Sequence, residues 1–100
     1  MEKRKPHYDL DAIIVVVRVR GVDSFTKAAK DGAVPMGLSH EAALEVVLHI
    51  QRGHLFKSMT THADPSVWQD VYRVPCLNGK MAYIKLTLRA GVVVIQFKEL

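Results

Sequence analysis

One cysteine, four prolines and one tryptophan are all that this chain has of those residues. A lone cysteine, Cys76, excludes an internal disulfide and fits a reducing compartment. Long apolar runs are missing too. The longest, Ala12–Val17, spans six residues, against roughly 20 for a membrane-spanning helix. The opening Met1-Glu-Lys-Arg-Lys-Pro-His7 leads into no apolar stretch of signal-peptide length and no clear small-residue cleavage site. A soluble cytoplasmic protein with no membrane role is expected. Neither Cys-x-x-Cys nor His-Glu-x-x-His occurs, and His7, His40, His49, His54 and His62 are scattered, so no metal or other cofactor is expected. The absence of Gly-x-x-x-x-Gly-Lys removes a phosphate-cradling loop, and no basic recognition helix stands out for reading DNA. Ser24 and Ser39 look like helix caps, without a His and Asp to activate them.

Acidic residues are scarce in one half only. Residues 1–50 carry seven Lys/Arg and seven Asp/Glu, whereas residues 51–100 set Arg52, Lys57, Arg73, Lys80, Lys85, Arg89 and Lys98 against Asp64, Asp70 and Glu99 alone. The whole net charge of +4 therefore sits in the second half. Such a bias attracts a polyanion, and nucleic acid is the usual one; solvation by surface lysines is the plain alternative.

The 100 residues fit one domain, 1–100. The first half reads as helices. Asp9 or Asp11 can cap the first, where Leu10, Ile13, Ile14 and Val17 recur at helical spacing before a stop at Gly21. The β-branched run Ile13–Val17 argues for a strand, and the spacing favours a helix. Asp23 or Ser24 can cap a short second helix through Lys30, and Ser39 a third ending near Gly53. The second half reads as strands: Phe56–His62, Trp68–Val74, Lys80–Arg89 and Val92–Lys98, with turns at Asn78-Gly79 and Ala90-Gly91. Helices first and antiparallel strands second predict an α+β domain with helices on one sheet face.

Register follows from the turns. A two-residue turn at Ala90-Gly91 pairs residues whose numbers sum to 181. Tyr83 then faces Lys98 and Lys85 faces Gln96, while Ile84–Phe97, Leu86–Ile95 and Leu88–Val93 pair on the apolar side. A one-residue slip buries the lysines, so this register is well specified. The Asn78-Gly79 turn leaves two registers open. A two-residue turn gives a sum of 157 and moves Gln69 to the face away from Tyr83. A three-residue loop, Asn78-Gly79-Lys80, gives 158, with Arg73 opposite Lys85 and Gln69 opposite Arg89 on the face of Tyr83. Pro75 cannot donate to the ladder and can mark a bulge that resets parity. The charge pattern prefers the three-residue loop.

Phe56-Lys-Ser-Met-Thr-Thr61, Trp68-Gln-Asp-Val-Tyr-Arg73, Tyr83-Ile-Lys-Leu-Thr87 and Val94-Ile-Gln-Phe-Lys-Glu99, with the opening Met1–His7, resemble the motility quorum-sensing regulator (MqsR) toxins. The resemblance covers nearly the whole chain and is strongest over residues 56–73. It implies a RelE-like α+β fold and a sequence-specific, ribosome-independent mRNA endonuclease with a preference for GCU-like triplets. It also implies an antitoxin of the zinc-containing, DNA-binding MqsA type, and through it a toxin–antitoxin–DNA complex. Family functional residues carry over onto Lys57, Gln69, Tyr83, Met59, Arg73 and Lys98. Phe56 and His62 depart from the family's tyrosines, and one extra residue lies between Gln69 and Tyr83.

Chemistry follows from RNA itself, whose 2′-hydroxyl is an internal nucleophile. Lys57, Gln69 and Tyr83 are the candidate catalytic residues. Lys98, Arg73, Met59 and Lys85 are candidate RNA contacts, with Lys57 and Lys98 on the scissile phosphate and His62 a possible alternative acid or base. Each has a plainer reading: a strand lysine is usually solvated, a strand tyrosine or Trp68 usually packs, and Met59 can fill a gap. Two other functions stay open, a non-catalytic RNA-binding module and a protein-interaction domain with an acidic partner.

Overall fold

The computed structural model describes residues 1–100, and the local signals explain most of its elements. Helix α1 spans Leu10–Arg20; the Asp9 carboxylate accepts the Asp11 amide, and Gly21, at φ 59°, stops it. Leu10, Ile13 and Val17 are buried on one face, so helical spacing overrides the β-branched composition. The second helix starts later than expected. Gly21–Ser24 coil into a 3₁₀ turn, and Phe25-Thr26 run beside the last strand, where the Thr26 amide donates to the Ile95 carbonyl. Thr26, not Asp23 or Ser24, therefore caps α2, Lys27–Ala33. Helix α3, His40–Leu48, is capped by Ser39 as expected but ends before Gly53, which lies in a separate 3₁₀ turn, Arg52–His54.

Five antiparallel strands follow the order β1-β2-β3-β4-β5: Glu2–Lys3, Leu55–Thr60, Trp68–Pro75, Met81–Arg89 and Val92–Glu99. The β4–β5 register is the expected one, with Tyr83 on Lys98 and Lys85 on Gln96. Ala90 and Gly91 both have positive φ, 50° and 76°, as the two-residue hairpin turn demands.

Neither expected β3–β4 register occurs. The loop is Leu77-Asn78-Gly79, closed by the Cys76 amide on the Lys80 carbonyl at 2.8 Å, with Gly79 at φ 85°. Paired numbers sum to 156, so Arg73 faces Tyr83 instead of Lys85, and the same sum carried one step past the Asp70–Leu86 pair sets Gln69 toward Thr87 instead of Arg89. The Asn78 side chain donates to the Met36 carbonyl at 2.8 Å, a tie to the helical layer that seats the loop. Because 156 and 158 share parity, Gln69 and Arg73 still lie on the face of Tyr83. Strand β1 was not expected; it pairs Glu2 with Met59 and Lys3 with Ser58.

The helices cover one face of the sheet, the expected α+β arrangement. Tyr72, Val74, Ile84, Leu86, Ile95 and Phe97 bury there against Ile13, Val17, Ala43 and Val47. Asp70 lies on the same face with no exposure, accepting from Ser58 Oγ at 2.6 Å and from the His7 and Tyr8 amides at 2.9 Å each. Trp68, expected in the core, is half-buried beneath His7, whose ring stacks at 5.0 Å, and the Lys3 ammonium at 4.3 Å. The chain start is thereby strapped to the sheet.

Helix α2 closes the β5 edge at backbone contact. A Cβ on Gly32 would stand 2.0 Å from the Phe97 carbonyl oxygen, a backbone atom of β5. Replacing a helical glycine by alanine normally gains about 1 kcal/mol. Gly32→Ala is expected instead to lose about 1–3 kcal/mol or more through overpacking, measured as a fall in the urea midpoint.

Candidate active site

The uncovered face of the sheet collects the basic residues. Cross-strand pairing puts Arg73, Tyr83 and Lys98 in one row and Lys57, Val71, Lys85 and Gln96 in the next. A third row holds Met59, Gln69, Thr87 and Val94. Lys57 and Tyr83 therefore project from the same side. Strand spacing puts their Cα atoms roughly 12 Å apart, with Lys85 between them, and Gln69 roughly 14 Å from Tyr83.

Tyr83 is flanked by amines: Lys98 Nζ lies 5.6 Å and Lys85 Nζ 6.0 Å from its ring centroid. It is also the one tyrosine on this face. Tyr8 donates to the Trp68 carbonyl at 2.8 Å on the other side, and burial, then the Asp70 carboxylate, raises its hydroxyl above the usual phenol range. Tyr72 is buried in the core and pushed up to about 12 by the same two causes. Tyr83, Lys85, Gln96 and Lys98 line a recess of about 260 Å³ whose wall is Ala28 and Ala29 of α2. A larger apolar groove of about 610 Å³, near Leu38, Val46, Val74 and Leu77, shares no lining residue with this recess.

The three lysines have different surroundings. Lys57 forms a 2.6 Å ion pair with Glu2, the single carboxylate among the strand residues of this face, and its side chain is only 21% exposed. That hydrogen bond, then the Lys57 charge, holds the Glu2 carboxyl below the usual range. Lys98 is exposed. Lys85 is half-buried, and burial, then the charges of Lys98 and Lys57, lowers its ammonium below the usual lysine value.

Phe56 occupies the β2 bulge, where the register shifts between Leu55 and Lys57. The Arg73 guanidinium stacks on its ring at 3.5 Å, with the Lys57 ammonium at 5.3 Å and Arg4 at 5.9 Å. A ring without a hydroxyl thus fixes the arginine's plane.

With this face assembled, the likenesses of the chain to known proteins become informative. Residues 5–99 match the family model described as motility quorum-sensing regulator, toxin of MqsA. The chain belongs to this family. It is 35% identical, over 99 residues and 99% of each chain, to the mRNA interferase toxin MqsR of Escherichia coli (strain K12). The family positions expected to act, Lys57, Met59, Gln69, Arg73, Tyr83 and Lys98, all share one face of this MqsR-family sheet, with Lys85 among them.

Two residues of this MqsR-family face were not among the expected site residues. Glu2 arrives through a two-residue strand with no periodicity to detect, and Phe56, noted only as a departure from a family tyrosine, gains its arginine contact from a bulge. His62 lies exposed in the bend after β2, at the opposite end of the strands from the Tyr83 row. No group of three or more His, Cys, Asp or Glu side chains is arranged to hold a metal ion. No helix is long and apolar enough to cross a membrane.

Proposed function

We propose that this chain is a sequence-specific, ribosome-independent mRNA endonuclease, the toxin of a type II toxin–antitoxin pair, acting in the cytoplasm without a metal. The observation that carries this is the convergence of Lys57, Lys85, Lys98 and Tyr83 on one open face of an MqsR-family sheet. RNA supplies its own nucleophile, so the protein must move two protons and offset the charge that grows on a pentacoordinate phosphorus. Cations fixed in a partly dry site do the second task far better than mobile ions in water. The scissile phosphate sits over the Val71–Lys85 pair, within reach of Lys57 and Lys98. Tyr83 moves one of the protons. Gln69, two rows from Tyr83, orients the neighbouring nucleotide, Arg73 holds backbone and Met59 contacts a base. The products are a 2′,3′-cyclic phosphate and a 5′-hydroxyl.

The partner is an MqsA-like antitoxin, through which a toxin–antitoxin–DNA complex can form. Expression alone is expected to arrest bacterial growth, and co-expression of the antitoxin to relieve it. In vitro, purified protein with mRNA in EDTA is expected to cut at a short recurring sequence. Lys57→Ala is expected to cut about 10²-fold more slowly, the scale of losing one group that offsets transition-state charge. Binding without cutting would support a non-catalytic RNA-binding module, and indifference to RNA a protein-interaction domain.

A further inference from the structure

We propose that Lys85 is the general base that takes the proton from the attacking 2′-hydroxyl, leaving Tyr83 to protonate the departing 5′-oxygen. This rests on the nuclease reading and assigns the two proton transfers within it. Three lysines share the face, and only one has surroundings that favour a free amine. Lys57 is engaged in an ion pair with Glu2 at 2.6 Å. Lys98 is exposed to solvent on the edge strand. Lys85 is half-buried at the centre, on the floor of the recess, and makes no ion pair.

Every element around Lys85 withholds a counter-charge. Lys57 approaches from β2, Lys98 from β5 and Tyr83 from its own strand, while Arg73 flanks Tyr83 from β3. Helix α2 contributes only Ala28 and Ala29 to the recess. The carboxylate of the face, Glu2 on β1, is occupied by Lys57. Burial, then the two neighbouring ammoniums, lowers the Lys85 ammonium accordingly. Environments that push like groups apart in basicity assign different roles to them.

The step balances. The Lys85 Nζ lone pair takes the 2′-proton, the 2′-oxygen bonds to phosphorus and the P–O5′ bond breaks. The 5′-oxygen receives the Tyr83 proton. Net proton transfer from Lys85 to Tyr83 through solvent resets the site.

Arginine keeps the charge but cannot be deprotonated in a protein, so Lys85→Arg separates base from phosphate contact. Single-turnover cleavage of one RNA in EDTA is measured across pH for wild type, Lys85→Arg and Lys85→Gln. Affinity is measured on the same RNA with 2′-deoxyribose at the cut site. Lys85→Arg is expected to bind close to wild type yet cleave about 10²–10⁴-fold more slowly. Wild type is expected to show a rising alkaline limb below the ordinary lysine range, and Lys85→Arg to lose it. Should arginine disturb the fold, Lys85→Gln at saturating RNA is expected to show the same loss of rate and limb. Near-wild-type cleavage with the limb intact in either variant overturns the assignment alone. A wild type that cleaves no RNA overturns the nuclease reading, and the assignment with it.

Discussion

Tyr83→Phe is expected to cleave RNA about 10²–10⁴-fold more slowly than wild type, the contribution of a positioned general acid. The variant removes one oxygen and leaves the ring, against which Lys98 and Lys85 pack at 5.6 and 6.0 Å. Folding and RNA affinity should therefore stay close to wild type, and the loss should appear in the chemical step. A substrate with sulfur in place of the bridging 5′-oxygen tests the role directly. A thiolate leaves without help, thiols ionising near 8.5 on the scale of free cysteine. Tyr83→Phe is expected to regain most of its rate on that substrate, and Lys85→Arg to regain none. A loss that sulfur does not repair would instead make Tyr83 a binding group.

The second large effect is structural and lies on the opposite face. Asp70 is fully buried and accepts hydrogen bonds from Ser58 Oγ and from the His7 and Tyr8 amides. Asp70→Ala leaves the part-buried His7 and Tyr8 amides without their acceptor and Ser58 Oγ with only the Gln69 carbonyl at 3.5 Å, and the loss should total about 3–5 kcal/mol. For a domain of this size that lowers Tm by roughly 15–30 °C. Ser58→Ala removes one donor and leaves the strap in place, so its cost should be near 1 kcal/mol. Thermal unfolding followed by circular dichroism measures both. The strap also delivers Glu2 to Lys57, 55 residues away in sequence. Asp70→Ala protein that remains folded at low temperature should therefore show altered cleavage as well.

Where a short local rule governed the geometry, the sequence was readable. Ala90-Gly91 fixes a two-residue hairpin, and alternating apolar residues on both strands allow one register, so the Tyr83–Lys98 neighbourhood followed by counting. The family resemblance then singled out which of the strand lysines to place in a candidate site. Reading failed where distant contacts decide. Asn78-Gly79 invites a two-residue turn or a loop beginning at Asn78. The Asn78 side chain is instead engaged with Met36, and the loop starts one residue earlier. Asp23 and Ser24 are good caps by type, but Phe25 and Thr26 lie along β5 and move the helix start to Lys27. Two residues paired as β1 carry no pattern; the buried Asp70 and the half-buried Trp68 hold the chain start there.

The site was legible as a face rather than as an arrangement. The hairpin register puts Tyr83, Lys85 and Lys98 on one side, the preferred three-residue loop adds Gln69 and Arg73, and the side of Lys57 comes from the β2–β3 pairing. The order of rows, with Lys85 central and Gln69 two rows from Tyr83, required the β3–β4 loop to be known. Exposure differences among the lysines, which divide their roles, come from the α2 wall and from Glu2, neither of which the strand sequences contain.

A single 2′-deoxyribose at the mapped cut site, in an otherwise unchanged RNA, addresses the chemistry most directly. Without the internal nucleophile the strand should remain intact in EDTA while binding as tightly as its all-ribose counterpart. Cleavage of the deoxy-substituted bond, releasing a 5′-phosphate, would mean that water attacks the phosphorus and that the roles given to this sheet face are wrong.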